Sequence, residues 1–285
     1  MKNLKSELVL ITGGSSGIGR LMAHNFAKEG SEIIIWDINE IGMARVAKEI
    51  EKIGSKVWTY VCDVSNKNRV YELAAKIKKE VGKIDILVNN AGIVSGKPFL
   101  ECSDDQIEKT MDINIMAHFW TVKSFLPEMI KSNHGHIVTI ASAAGLVGVN
   151  SLSDYSASKF AAVGFDESIR MELKKKKIDG VKTTIVCPYY VNTGMFAGIK
   201  TKFDFLLPVL DEKDVAEKII EAVKNDKPIL QLPSIVNLVP LFRILPVNIF
   251  DWIADFLGIN SAMDEFTGRA KLMETPSDLL KSLRS

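Results

Sequence analysis

Short apolar runs alternate with amphipathic stretches along the first two hundred or so residues. Residues 7–12 (ELVLIT), 32–36 (EIIIW), 56–62, 84–88 (IDILV), 136–141 (HIVTIA) and 181–187 (VKTTIVC) are short and rich in β-formers, which predicts six strands. A seventh is expected at 228–232. Helical spacing fills the gaps: 17–29, 41–53 (apolar at Ile41, Val46, Ile50 and Ile53), 70–81, a long helix over 104–130, another over 154–177, and 212–223. The strands do not alternate polar with apolar, so both sheet faces are expected to be covered. Strand–helix alternation at this spacing predicts an α/β fold, a doubly wound parallel sheet with right-handed crossovers. After Tyr190 the texture changes. Residues 192–208 are irregular, and 234–259 are strongly apolar, interrupted by Pro240 and Pro246.

The chain has 285 residues, enough for a large core without staples. With 36 basic and 35 acidic residues, the net charge is near zero, and no basic motif with interleaved aromatics points to nucleic acid. Four consecutive lysines at 174–177 read as the solvated end of a helix. Cys62, Cys102 and Cys187 lack metal or disulfide spacing. Cys62 and Cys187 end apolar runs and are expected as buried thiols in a reducing compartment. His24, His118, His134 and His136 form no ligand pattern, so no metal is expected. The first apolar run is too short to span a bilayer, and no signal peptide is visible.

Thr12-Gly13-Gly14-Ser15-Ser16-Gly17-Ile18-Gly19 lies between the first strand and first helix. Glycines there let the backbone turn sharply and approach a pyrophosphate, which the helix start then binds. The position, more than the glycines themselves, favours dinucleotide binding over an ordinary tight turn. Asp37 ends the second strand, about twenty residues further on. A carboxylate there accepts hydrogen bonds from ribose hydroxyls and repels a 2′-phosphate, which favours NAD over NADP. Tyr155 and Lys159 are four positions apart, on one helix face. A nearby Lys⁺ and a positively charged nicotinamide favour the phenolate, so Tyr155 suits acid/base work. That spacing alone is common. Ser142 adds weight: it ends the fifth strand, at the sheet edge where ligands sit. Asn89-Asn90-Ala91-Gly92 ends the fourth strand at the same edge. Asn114, a poor helix former, falls inside the long apolar helix. A helix distortion, a water site or an exposed position would each explain it.

These residues together resemble the short-chain dehydrogenase/reductase family, over about residues 7 to 225. The resemblance implies a Rossmann-type, three-layer α/β/α fold and a tetrad of Asn114, Ser142, Tyr155 and Lys159. By that analogy Tyr155 exchanges a proton with the substrate oxygen and Ser142 polarises it. Lys159 lowers the tyrosine pKa and binds the nicotinamide ribose, and Asn114 holds a relay water. Cofactor contacts are implied for Gly13, Ser15, Ser16, Gly17, Ile18, Gly19, Asp37, Asp63, Val64, Asn90, Ala91, Gly92, Tyr155, Lys159, Pro188, Val191 and Thr193. A glycine commonly follows that proline; here Tyr189 does, so the local backbone is expected to differ. Stretches such as Ala117-His118-Phe119-Trp120-Thr121 and Ser158-Lys159-Phe160-Ala161-Ala162 are similar to the branch of lipid-droplet 17-beta-hydroxysteroid and epidermal-type retinol dehydrogenases. Members of that branch begin with a hydrophobic anchor, which is not seen here.

The expectation is therefore an NAD-dependent oxidoreductase interconverting a small hydrophobic alcohol, steroid or retinoid-like, and its carbonyl. A broad carbonyl reductase and a non-catalytic dinucleotide-binding scaffold on lipid surfaces are the alternatives. Residues 1–232 would form the catalytic domain and 233–285 an apolar helical extension. That extension would be a lid, a membrane or lipid-droplet attachment, or an oligomer contact; its prolines and Arg243, Asp251 and Asp255 argue against a spanning helix. Leu146, Val149, Phe196 and residues 203–207 are candidate pocket walls. A cytoplasmic homodimer, paired through the two long helices, is expected, with peripheral lipid attachment left open.

Overall fold

The computed structural model describes residues 1–268. Seven parallel strands form one sheet in the order β3-β2-β1-β4-β5-β6-β7. They are β1 Leu8–Thr12, β2 Glu32–Asp37, β3 Val57–Val61, β4 Ile86–Asn89, β5 Gly135–Ile140, β6 Val181–Pro188 and β7 Ile229–Leu232. The order reverses between β1 and β4, which opens a crevice at the carboxyl ends of those strands. The missing alternation has its explanation in β1. Val9 and Ile11 pack on one face with α1 (Gly17–Lys28), α2 (Glu40–Ile53) and α7 (Glu212–Lys224). Leu8 and Leu10 pack on the other with α3 (Lys67–Glu80), α5 (Ala117–Ser132) and α6 (Ser153–Lys175). Every β1 residue is buried, so apolar side chains suit both faces.

Local chemistry ends the helices where the pattern stops. Asn39 caps α2 by accepting from the Gly42 amide at 2.9 Å, and Gly54, at φ 92°, closes it in the left-handed region. Asp211 caps α7. The long helix expected over 104–130 is interrupted. It runs as α4 (Asp104–Met111), one π-helical segment (Asp112–Met116) and α5. Asn114 sits at the centre of the π-segment and is fully buried. Of the three explanations for Asn114, helix distortion is the one observed.

The helix α6 is fastened to the sheet by a buried carboxylate. Asp166 accepts from the Thr139 hydroxyl on β5 at 2.9 Å and from the Thr183 hydroxyl on β6 at 3.1 Å. Past β7 the chain enters a 3₁₀ turn (Ser234–Leu238) and two short helices, α8 (Val239–Phe242) and α9 (Val247–Phe256). No helix among the described residues is long and apolar enough to cross a membrane. The part of the expected extension beyond residue 268 lies outside the described residues.

Burial pushes Asp166 up to about 6, and the two threonine bonds only partly oppose this. Between roughly pH 4 and 6 the folded protein holds a proton that the unfolded chain has released. Stability from this group is therefore full below that window and is lost as pH rises through it. Asp166→Asn should flatten the stability profile there, read as denaturation midpoints at the two ends of the window.

Candidate active site

The site begins with a clasp between β1 and β4. The Thr12 hydroxyl accepts from the Asn90 amide at 3.0 Å and the Ala91 amide at 3.1 Å. The Asn90 side chain returns the contact, donating to the Thr12 and Gly13 carbonyls at 2.9 and 3.0 Å. The two chain segments touch so closely that a Cβ on Gly13 would sit 2.9 Å from the Ala91 Cα. Gly13 and Gly17 also hold positive φ, 66° and 51°. Gly17 faces Thr193 across the crevice, with 3.4 Å between its Cβ position and the Thr193 Cβ. The glycine loop is thus held from behind by Asn90 and stays open in front.

The crevice is a polar-edged cleft of about 370 Å³. All seventeen residues expected to contact a dinucleotide line it. Gly13, Ser15, Ser16, Gly17, Ile18 and Gly19 form its floor at the start of α1; Asp37, Asp63 and Val64 line one part; Asn90, Ala91 and Gly92 line the middle; Tyr155, Lys159, Pro188, Val191 and Thr193 complete it. Asp37 accepts from the Ser15 amide at 3.0 Å, so its carboxylate is already fixed relative to the glycine loop. Each of its oxygens retains capacity for a further donor. Ile38, Ile93, Lys109, Ile113 and Met195 also line the cleft, though no motif pointed to them.

Ser142, Tyr155 and Lys159 meet at one end. Lys159 donates to the Ile140 carbonyl at 2.8 Å, and its ammonium lies 5.5 Å from the Tyr155 ring centre. The Ser142 hydroxyl accepts from the Ala144 amide at 3.1 Å. Burial pushes Tyr155 up to about 12, with a bond to Ser142 opposing it, and pushes Lys159 down to about 8. Of the two charges expected to favour the phenolate, Lys159 and a nicotinamide, the lysine does not offset desolvation of the phenol.

Asn114 does not line the cleft. Its side chain accepts from the Ile93 amide at 2.8 Å and donates to the Ile93 carbonyl at 2.9 Å and to Ser158 at 3.0 Å. Ser158 in turn donates to the Tyr155 carbonyl at 2.7 Å. Asn114 therefore ties the loop after β4 to the turn of α6 that carries Tyr155. Asp154, absent from the sequence reading, strengthens this link. It accepts from Ser95 at 2.7 Å, Thr110 at 2.8 Å and the Tyr155 amide at 2.8 Å. Its partners lie 59 and 44 residues away in sequence, so no local pattern reveals them.

A second, apolar cavity of about 90 Å³ adjoins the cleft. Val149, Phe196 and Leu207 line it as expected, together with inner-facing residues of the C-terminal segment such as Val236, Val239, Phe250 and Ile253. Leu146 is not a wall; it packs beneath, beside Ile115 and Ile185. Phe203 instead meets the Phe256 ring in a tilted contact at 5.5 Å, and Phe205 is exposed. Arg243 ties the segment down, donating to the Leu146 carbonyl at 2.7 Å and lying 5.2 Å over the Phe160 ring. Ser142 and Tyr155 line both cavities.

Comparisons with known proteins agree with this geometry. A sequence model described as short chain dehydrogenase matches residues 7–203. Human epidermal retinol dehydrogenase 2 is 49% identical over 272 residues, 95% of this chain and 88% of the relative. Human estradiol 17-beta-dehydrogenase 11 is 47% identical over 246 residues, covering 86% and 81% of the two chains. A crystal structure of a short chain dehydrogenase/reductase from Burkholderia phymatum in complex with NAD superposes with a TM-score of 0.76 at 27% identity, over 86% of this chain and 95% of the other.

The glycine loop yields a direct test. A Cβ on Gly19 would fall on the Gly13 carbonyl and the Asn90 side-chain nitrogen, whereas one on Gly148 meets nothing within 4 Å. Gly19→Ala should weaken NADH binding at least about tenfold in a fluorescence titration, since the loop must shift to admit it. Gly148→Ala should leave binding unchanged.

Proposed function

This chain belongs to the short-chain dehydrogenase family, and from that premise we propose that it oxidises hydrophobic steroid- or retinoid-like alcohols, or reduces the corresponding carbonyls, with NAD. It is an oxidoreductase acting on CH–OH groups. One observation carries the substrate side of this reading: Ser142 and Tyr155 form the wall between a polar-edged cleft and an apolar cavity. An alcohol whose carbon skeleton fills the apolar side presents its oxygen to those two hydroxyls. The cleft fits a dinucleotide because a side chain on Gly17 would project toward Thr193 across it, and Asp37 offers acceptors to a ribose diol. NAD held by these residues would supply the hydride chemistry.

In this reading the chain's own residues handle the proton. Tyr155 is neutral at working pH until a positive charge enters the cleft, so it is a ready proton donor toward a carbonyl. In the oxidative direction it must lose that proton first. Lys159, held against the Ile140 carbonyl, supplies a nearby positive charge and a donor for a ribose. Ser142, aligned by the Ala144 amide, polarises the substrate oxygen. Asn114 and Asp154 position the tyrosine rather than touching substrate.

The C-terminal segment is read as a cap. A cavity of about 90 Å³ is well below the ~300–1,000 Å³ of sites for drug-sized ligands, so the cap moves outward to admit such a substrate. Its outer face is apolar as well: Ile244 is 79% exposed, Val247 71% and Trp252 65%. We infer that this face rests on a lipid surface, where lipophilic substrates concentrate. Exposed Phe119 and Met171 on α5 and α6 favour pairing of two copies through those helices.

The activity is tested by initial rates with estradiol and all-trans-retinol. NAD should outperform NADP, and Tyr155→Phe should lower kcat at least about a hundredfold while NADH still binds. Full turnover in the variant would sink the mechanism; a cellular role that survives loss of turnover in the variant would support the scaffold alternative. Lipid contact is tested by flotation with phosphatidylcholine vesicles. The intact chain should float with them and Trp252→Glu should float less; a chain that stays at the bottom removes the membrane reading.

A further inference from the structure

Tyr190 follows β6 and packs beside the reacting wall. It is only 7% exposed, and its hydroxyl is fully buried with no hydrogen-bond partner. A buried hydroxyl without a partner costs stability that a phenylalanine of the same shape would not. The residue lines the apolar cavity together with Tyr155 and Ser142. Tyr190 and Tyr155 both meet the Phe196 ring edge-on, at 5.1 and 5.7 Å. Burial pushes the Tyr190 phenol up, and Tyr189 and Tyr155 push it further, so the three hydroxyls are electrostatic neighbours. At working pH the group is neutral, able to donate one hydrogen bond and accept others.

Apart from Tyr189, whose phenol is not buried without a partner, the rest of the cavity wall is apolar. Val147, Val149, Val239 and Phe250 are typical of it. Ser142 and Tyr155 are committed, in the reading above, to the oxygen that reacts. Tyr190 is then a polar group in an apolar pocket with no task inside the protein.

We propose that Tyr190 determines specificity by hydrogen-bonding a second oxygen on the substrate. Within the proposed class this favours steroid-like alcohols or ketones that carry a further hydroxyl or carbonyl over single-hydroxyl skeletons such as all-trans-retinol. The inference rests on the proposed NAD-dependent alcohol oxidation at Tyr155 and deepens it. A site built to hydrogen-bond a substrate oxygen rejects the analogue that lacks it, because the site's own polar group stays unpaired.

The test uses one skeleton with one or two oxygens: 5α-androstan-17β-ol, the 16,17-diol and the 3,17-diol, each with NAD and the intact chain. Wild-type protein should favour at least one diol over the mono-alcohol by about tenfold or more in kcat/KM. Tyr190→Phe should collapse that ratio to within about twofold, and the ligand-free variant should melt no lower than wild type, since it loses only an unpaired hydroxyl. Two results overturn the inference while leaving the proposed activity standing: oxidation of all three without preference by wild type, or a preference that survives in Tyr190→Phe. Oxidation of none of the three, with NADH binding intact, would overturn the steroid reading and this inference together.

Discussion

Two buried carboxylates hold α6 in place. Asp166, in mid-helix, binds hydroxyls on β5 and β6, and Asp154, at the amino end, binds α4 and the loop after β4. Tyr155 and Lys159 lie between these anchors, which set how far both side chains stand from the sheet edge. A buried carboxylate is expensive unless its oxygens are satisfied, and here each oxygen has a hydroxyl or amide donor. Asn114 adds a third tie by way of Ser158. The helix is thus clamped at its start, at the turn that carries the tyrosine, and beyond the lysine, leaving the phenol little freedom relative to the crevice.

Much of this was legible in the chain because its causes are local. Apolar runs of five or six residues report strands covered on both faces, and a glycine loop between strand and helix reports a backbone that must turn and be approached closely. Ser142, Tyr155 and Lys159 stand out individually because each sits at a strand end or on a helix face; that they form a tetrad with Asn114 is what the family resemblance implies. Causes that join distant segments were not legible. The link from Asp154 to Ser95 spans 59 residues, and nothing near Asp154 announces it. The π-segment is similar. Asn114 marks an anomaly, yet only the Ile93 backbone it binds says which kind. Leu146 and Phe203 looked like pocket walls by their apolar character; their true neighbours, Ile115 and Phe256, depend on tertiary packing. Spacing reveals the Lys159 charge near the Tyr155 phenol and conceals the depth of burial that pushes the phenol up.

The C-terminal segment shows why composition alone left three readings open. An apolar stretch that both lines a cavity and faces outward needs hydrophobic residues on both sides of short helices. Val236 and Ile253 face the cavity, while Ile244 and Trp252 face out. Pro240 and Pro246 break the stretch into pieces short enough to follow the curved rim of the site. Arg243, otherwise a charge in an apolar run, is explained by its carbonyl and aromatic partners on the body of the protein.

The two cavities share only Ser142, Tyr155, Tyr189 and Phe196. A wall that thin separates two halves of one catalyst with different evolutionary freedom. The cleft half is built from close backbone contacts, where nearly any change has a steric consequence. The half walled by the C-terminal segment is built from interchangeable aliphatic and aromatic side chains on short helices. Lineages descending from such a fold can therefore diversify the molecules they accept by drift in that segment, with the redox half carried along unaltered. Directed evolution toward a new alcohol would start most profitably from that same stretch of chain.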